Sequence, residues 1–409
     1  MPQLLHRAAT ALWRRTPAAV RQKAARAVTG SIEPRSSDAP RRLLRDRGVP
    51  RIVVGLLSSP SGLGQSARLA ARALRNDGHR VIGHDLGRFF HEVAGNIAHG
   101  IPDASAYRGP AHVVLVIGAP YAAFALASLG SDFLKEKLVT AYWAWELPRV
   151  PRSWQRGLPA VHDIAVPSLF TANAMCVLGA GQLVRVCPHP VALDHPPPSF
   201  LATGAVRPQQ PFTVVSALSV GSGFERKNPV ALIRAFKLAF GNRQDRRLRM
   251  LITASEYFAP ARTAILRAVG LASNIEIAWK PLTRPEFLKW WGTPDAYALL
   301  HRSESFGLPL AEAMCAGLPV VATGWSGNMD FMTEHNSLPV RYRLCDVADP
   351  QRKYFSTEGQ WAEPDIEHAA ELLQTLASSP DLAREIGATA HRAMRVRLTG
   401  QSFCRSLLS

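Results

Sequence analysis

Glu304 and Glu312 stand with seven residues between them, and Phe306-Gly307-Leu308-Pro309 fills the gap. An apolar run ending near His301 reads as a strand, and a polar loop then carries Glu304. Pro309 sits where a helix can begin, since proline suits the first helical turn. The backbone N–H groups of Phe306, Gly307 and Leu308 are then left pointing out of a helix N-terminus. A phosphate fits there, because unpaired donors and the helix dipole both favour negative charge. Gly307 lets the backbone come close to a ligand. Glu304 lies where that ligand meets the loop and Glu312 one helical turn inside. Carboxylates in such places accept paired hydrogen bonds from a vicinal diol. The pattern points to a phosphorylated, hydroxyl-rich ligand.

Positioning such groups requires strands that end at one edge and helices that start there. In the second half, apolar runs at 212–218, 247–255, 274–280, 296–301 and 319–323 alternate with helical stretches at 229–240, 262–269, 284–291 and 308–316, which predicts a parallel α/β domain. The first half repeats the scheme. RIVVGLL (51–57) is a short, β-branched run of the kind found in buried parallel strands. Gly62 and Gly64 follow in a tight loop, a helix is expected over 65–76, and Gly78 is placed to end it. Further runs at 111–118, 138–145 and 162–168 continue the series. The segment 186–211 holds seven prolines and reads as the connection between two domains. The expected fold class is therefore α/β, two doubly wound, Rossmann-like parallel sheets with a ligand cleft between them at the carboxyl ends of the strands. The expected division is a basic helix and linker over 1–50, a first domain over 51–190, a hinge over 191–211, a second domain over 212–385 and a closing helix over 386–409.

SFGLPLAEAMCAGLPVVAT around the glutamate pair closely resembles the signature of glycosyltransferase family 4, retaining enzymes of the GT-B fold. ERKNP (225–229), YWAWELPRVPRSW (142–154), IAVPSLFTA (164–172) and the SGLG loop at 61–64 share the resemblance, which spans about residues 51–390 in the expected order. It implies transfer of a sugar from a nucleotide-sugar, such as GDP-mannose or a UDP-hexose, to an acceptor hydroxyl with retention of configuration. It carries the donor sugar to Glu304, the ribose diol to Glu312, and the pyrophosphate to Arg226 and Lys227. Cations there are chemically apt, because the leaving nucleoside diphosphate gathers negative charge. Gly62 and Gly64 join Phe306, Gly307 and Leu308 as donor-binding candidates. Many family members place a histidine or aspartate at the end of a first-domain strand, where this chain has Trp145-Glu146. Either Glu146 takes that role or another group, such as His189 in the PHP turn, reaches the cleft; His189 is equally a structural turn residue.

Plainer readings stand beside these. Gly62-Leu63-Gly64 is also an ordinary strand-to-helix turn, Arg226-Lys227 a solvated pair, and GWSGN (324–328) a polar turn. Trp143, Trp145 and Trp154 read as packing, and Met314 and Cys315 as core. The chain has no Asp-x-Asp, the pair with which metal-dependent sugar-nucleotide enzymes hold a divalent cation. Helix amides, Arg226 and Lys227 replace it in the expectation, which includes no metal and no cofactor beyond the donor itself.

The 409 residues carry 48 Lys+Arg against 31 Asp+Glu, a net charge of +17. Residues 1–50 hold eleven of the basic residues and only three acids. This marks a basic appendage on a moderately basic body and argues against a chain-long nucleic-acid groove. Leu4, Leu5, Ala8, Ala9, Leu12 and Trp13 recur at helical spacing while Arg7, Arg14 and Arg15 lie largely off that stripe, so residues 1–30 read as a basic amphipathic helix. Such a helix suits an anionic membrane surface and a lipid-linked acceptor in polysaccharide or lipopolysaccharide assembly; it is also readable as a solubilising helix. Five scattered cysteines, none in Cys-x-x-Cys spacing, fit a reducing compartment. No run approaches the ~20 apolar residues of a membrane span, and residues 1–30 lack the pattern of a secretory signal. The expected location is the cytoplasm, with peripheral attachment to the inner face of the cell membrane. Two other classes stay open, a catalytically silent sugar-nucleotide-binding protein and, on the pI of 10.3 alone, a nucleic-acid-binding protein.

Overall fold

The computed structural model describes residues 41–88, 97–179, 184–193, 210–253, 258–280, 282, 284–354 and 359–409. The helix expected over 1–30 and most of the hinge, 194–209, lie outside them.

The first sheet contains β1 (Arg51–Gly55), β2 (Val81–Asp85), β3 (Ala111–Val116), β4 (Lys137–Tyr142), β5 (Asp163–Val166) and β6 (Val184–Val186), ordered β2-β1-β3-β4-β5-β6. All its pairings are parallel. Strands β1, β3, β4 and β5 are buried at every position, so their near-continuous apolar runs face helices on both sides. The second sheet contains β7 (Phe212–Ser219), β8 (Arg246–Thr253), β9 (Ile275–Ala278), β10 (Ala296–Leu299), β11 (Val320–Thr323) and β12 (Leu338–Val340), ordered β12-β11-β10-β7-β8-β9 and again parallel throughout. Helices α1 (Gly62–Asn76), α2 (Ala119–Ala127) and α3 (Leu169–Met175) belong to the first domain. To the second belong α4 (Phe224–Lys227), α5 (Pro229–Phe240), α6 (Ala259–Val269), α7 (Arg284–Trp291) and α8 (Leu308–Cys315), with α9 (Ile366–Ser378), α10 (Pro380–Arg397) and α11 (Gly400–Leu407) ending the chain. The strand order reverses between β1 and β3 and between β7 and β10. Loops leaving those strands diverge to opposite faces and open a crevice.

Four expectations are corrected. Residues 41–50 are not a free linker: Leu43 and Leu44 are buried, and the buried Arg51 guanidinium donates to the carbonyls of Leu43 (2.6 Å), Leu44 (2.8 Å) and Asp46 (3.1 Å), which fastens this segment under the first sheet. Helix α1 begins at Gly62 and not at 65, because Ser61 caps it by accepting from the Gly64 N–H at 3.2 Å. The closing helix is two helices: α10 runs across residue 386, and Thr399 then caps α11 by accepting from the Ser402 N–H. An antiparallel hairpin, β13 (Tyr342–Asp346) with β14 (Gln360–Pro364), interrupts the parallel series. Four of the five β13 residues are exposed, so no apolar alternation announces it.

The two cores interlock. Leu69 of α1 and Val191 are buried within the second domain's apolar cluster, whereas Tyr354 and Trp361 of the hairpin region are buried within the first domain's. Phe403, Cys404 and Leu407 of α11 pack with Val53, Ala67, Ala70 and Leu74, returning the chain's end to the first domain. All five cysteines are free thiols. Among the described residues no helix is long and apolar enough to cross a membrane.

Candidate active site

The second domain's crevice gathers residues that are far apart in sequence. Strand β7 delivers the short helix α4, whose last residues are Arg226 and Lys227; β10 ends at Leu299, and the loop that leaves it carries Glu304 five residues on. Lys227 Nζ donates to Glu304 Oε1 at 2.5 Å, and Arg226 Nη1 lies 3.1 Å from the same oxygen. All three side chains are at least nine-tenths buried. Burial by itself raises a carboxyl pKa, but Lys227 and Arg226 outweigh it and hold Glu304 down to about 2. Burial depresses Lys227, with Glu304 opposing that effect. Burial likewise works against the Arg226 charge, and Tyr354, Glu304 and Glu146 more than compensate, leaving its pKa raised.

The geometry divides the basic pair. Arg226 donates from Nε and Nη2 to the Ser222 carbonyl (3.2 and 2.8 Å) and from Nη1 to the Ser303 carbonyl (2.8 Å), so its fork is committed to holding two loops together. Lys227, with three N–H groups, has one hydrogen-bond acceptor among the described residues. It keeps donors for an incoming anion, whereas Arg226 supplies charge from behind.

Glu304 is held by a buried polar layer that spacing alone did not disclose. Its N–H donates to Ser326 Oγ at 2.8 Å, and its carbonyl accepts from Gly327 N at 2.9 Å. Ser326 has φ 81° and ψ −156°, a strained conformation for a residue with a Cβ, costing about 1–3 kcal/mol. Asn328 stabilises it: its Oδ1 faces Ser326 Oγ (3.2 Å) and His301 Nε2 (3.0 Å), and its Nδ2 donates to the Thr323 carbonyl (3.0 Å). GWSGN is therefore the support of Glu304. A clue was its position directly after β11, at the cleft edge.

Gly307 precedes α8 with φ 91°, in the left-handed region that favours glycine. Leu308 is the first helical residue and Pro309 the second. The amides of Phe306, Gly307 and Leu308 have no acceptor among the described residues, as a helix N-terminus leaves them. The Phe306 side chain is buried between His189 and Phe331, with ring centroids 4.9 Å from each, so only its amide can face a ligand. Glu312 lies in the following turn of α8, partly exposed.

From the first domain, Glu146 reaches this cluster. One carboxylate oxygen is 3.9 Å from Arg226 Nη2, the other accepts from Tyr354 at 3.3 Å, and its carbonyl accepts from Ser303 Oγ. Trp143, Trp145 and Trp154 form a buried edge-to-face stack, with centroids 5.7 and 5.1 Å apart. Gly62 has open space where a Cβ would stand. Gly64 does not: a Cβ would come 2.2 Å from the Ser59 carbonyl, so glycine is required by close chain passage and its amide is spent on the Ser61 cap. The first turn of α1 nevertheless adjoins the site, because Ser66 Oγ lies 3.4 Å from His189 Nε2, and His189 packs on Phe306.

His189 is buried, its Nδ1 3.2 Å from the Tyr142 hydroxyl, and desolvation lowers its pKa to about 3. Between pH 6.5 and 3 the unfolded chain therefore binds a proton that the folded chain refuses, and stability falls as pH drops through that window. His112 and His301, also lowered chiefly by burial, act in the same direction. Urea denaturation of His189→Gln should show a shallower loss of stability from pH 7 to pH 5 than the unmodified chain; parallel losses would contradict the buried neutral imidazole.

Residues 213–392 match the family model for glycosyl transferases, group 1. The match covers β7 through α9 and most of α10, and so contains Arg226, Lys227, Glu304 and Glu312. Among curated proteins, the chain is 27% identical over 230 residues to D-inositol 3-phosphate glycosyltransferase of Streptomyces scabiei, covering 52% of this chain and 47% of that protein. It is 33% identical over 103 residues to the protein of that name in Pseudarthrobacter chlorophenolicus, covering 25% and 24%. The chain thus spans less than half the length of these relatives, which are transferases. Among solved structures, Anabaena HepE in complex with UDP-glucose superposes with a TM-score of 0.60 at 14% identity, over 88% of this chain and 98% of that one. Sucrose-phosphate synthase of Thermosynechococcus elongatus gives 0.60 at 15%, over 87% and 96%. Together with the two six-stranded parallel sheets, these neighbours establish the α/β two-domain GT-B fold.

Proposed function

We propose that this chain is a retaining glycosyltransferase of family 4 that moves a hexose from a nucleotide-sugar to an acceptor hydroxyl. The observation that carries the reading is the buried Lys227–Glu304 pair at 2.5 Å, seated at the strand-order reversal beside the amides of 306–308 at the start of α8, which have no acceptor among the described residues. In the free chain each group neutralises the other. On binding, the donor's pyrophosphate takes the remaining N–H groups of Lys227 and the amides of 306–308, and the sugar's hydroxyls donate to Glu304. As the bond to the anomeric carbon breaks, negative charge grows on the diphosphate, where Lys227, Arg226 and the helix dipole stabilise it. The acceptor hydroxyl enters from the first-domain side, facing the Glu146 carboxylate; its oxygen bonds to the anomeric carbon as the bond to the diphosphate breaks, and its proton passes to the departing diphosphate oxygen. Closure of the two domains over the donor would exclude water and so limit its hydrolysis. No step in this scheme draws on a metal, and EDTA should leave turnover unchanged.

A UDP-hexose is the first donor to test, because the HepE neighbour was solved with UDP-glucose; GDP-mannose is the second. A lipid-linked acceptor at an anionic membrane is the setting favoured by the basic, amphipathic pattern of residues 1–30. The deciding experiment is a thermal-shift screen with UDP, GDP, ADP and their sugars, followed by turnover with octyl glycosides and D-inositol 3-phosphate as acceptors. Stabilisation by one nucleotide with transfer to an acceptor supports the reading. Stabilisation with no transfer points instead to a silent sugar-nucleotide-binding protein, and neither outcome with any nucleotide rejects both. Glu312→Ala should weaken nucleotide binding about tenfold by calorimetry while the saturated rate changes little; unaltered affinity would remove Glu312 from the ribose.

A further inference from the structure

The hairpin region inserted after β12 brings one side chain into the reactive cluster that has no counterpart in the scheme above. Tyr354 is 95% buried, and its hydroxyl has Glu146 Oε2 as its hydrogen-bond partner, at 3.3 Å. Its ring packs edge-on against Trp145 of the first domain (5.5 Å between centroids) and Trp361 of β14 (6.4 Å). The turn that carries it is tightly built. Asp349 accepts from the N–H groups of Gln351, Lys353 and Tyr354, and the Gln351 side chain bridges the Phe224 N–H (2.5 Å) and the Val220 carbonyl (3.2 Å), just ahead of Arg226. Trp361 in turn lies under the Arg302 guanidinium at 5.6 Å, and Arg302 pairs with Glu225 (2.9 Å) and Glu363 (2.6 Å). One turn is thus anchored both to the loop that presents Arg226 and Lys227 and to the tryptophan stack that presents Glu146.

We propose that Tyr354 is a positioning residue for the transfer reaction, its hydroxyl fixing one oxygen of Glu146 so that the carboxylate faces Arg226 and the incoming acceptor. The inference rests on the glycosyltransferase reading and deepens it. Ser303 joins the Glu146 backbone to Arg226, its Oγ donating to the Glu146 carbonyl and its own carbonyl accepting from Arg226 Nη1; the 349–354 turn adds the contact that orients the Glu146 carboxylate. The Tyr354 ring supplies packing while its hydroxyl supplies orientation, so the two can be separated by substitution.

The test uses the whole chain with the nucleotide-sugar that raises its melting temperature most, following nucleoside diphosphate release with octyl glycosides as acceptors. Tyr354→Phe keeps the ring and loses the hydroxyl; kcat should fall about 10- to 100-fold, the range for a hydrogen bond to a charged group, with donor affinity and melting temperature nearly unchanged. Glu146→Gln should also lower kcat, and the double variant Glu146→Gln/Tyr354→Phe should be no slower than Glu146→Gln alone, since Tyr354 acts through that carboxylate. A kcat for Tyr354→Phe within twofold of the unmodified chain, or losses that multiply in the double variant, overturns the assignment. A purely structural role would instead lower the melting temperature and leave kcat in place. If the unmodified chain neither binds nor turns over any nucleotide-sugar, the glycosyltransferase reading itself falls and takes this role with it.

Discussion

Glu304→Gln is expected to lower the rate of sugar transfer by about 10²- to 10³-fold, the scale on which removal of one preorganised electrostatic contact acts. Glutamine has nearly the shape of glutamate, so the loop anchored by Ser326 and Gly327 should keep its course. The change is electrical. Lys227 and Arg226 are then buried beside a neutral amide, and breaking such a pair typically costs about 3–5 kcal/mol, so a drop in melting temperature should accompany the loss of rate. A tightly bound nucleotide should restore part of that stability, because its pyrophosphate replaces the missing negative charge. The carboxyl also sets a pH limit. It titrates at about 2 in the folded chain against 4.5 as its ordinary value, so its contribution to stability is complete above pH 4.5 and drains away between 4.5 and 2. The unmodified protein should therefore show no acid limb from this group above pH 4.5. A Glu304→Gln variant with near-normal rate would remove Glu304 from the chemistry, whatever its stability.

The second large effect belongs to Lys227. Replacing it by methionine keeps most of the buried alkyl volume and removes the cation with uncommitted donors. Affinity for the nucleoside diphosphate should weaken about 30-fold or more, in line with truncation of one partner of a buried charge pair, and saturated turnover should fall as well, since the charge on the leaving group peaks after binding. Lys227 is the largest attractive influence on the Glu304 carboxyl, so the variant's acid limit should move upward from that of the unmodified chain. Calorimetry with UDP or GDP and a pH–stability curve together check the assignment. Unchanged affinity would shift the pyrophosphate onto the amides of α8 alone.

Both effects depend on residues 77 positions apart, and how far the amino-acid sequence discloses them differs from one feature to the next. The Glu304–Glu312 spacing, Gly307 and Pro309 are legible because they belong to one strand–loop–helix unit, in which local chemistry decides the backbone: proline tolerates the first helical turn, and a residue at φ 91° favours glycine. The alternation of apolar runs likewise predicts two parallel α/β domains, since a strand covered on both faces must be apolar on both. Less was legible where a polar residue's meaning depends on a distant partner. Arg226 and Lys227 are adjacent and chemically alike in the chain, yet the Arg226 fork is engaged by the carbonyls of Ser222 and Ser303 on both sides, while Lys227 has a single acceptor among the described residues. Ser326 looks like an ordinary turn serine until its strained backbone is seen to hold the Glu304 amide.

The repeating strand–helix series and the phosphate-ready helix start follow from hydrophobic period and from backbone preferences within a few residues of one another, so the amino-acid order alone carries them. It takes the folded arrangement to fasten residues 41–50 beneath the first sheet, to carry aromatic side chains of the hairpin at 342–364 into the other domain's core, and to bring Tyr354 to Glu146 from 208 positions away. Those contacts are made between surfaces whose complementarity exists only once each sheet has formed. A buried polar group can state its need for a partner in its own residue type, but which partner answers is settled by how the two domains close.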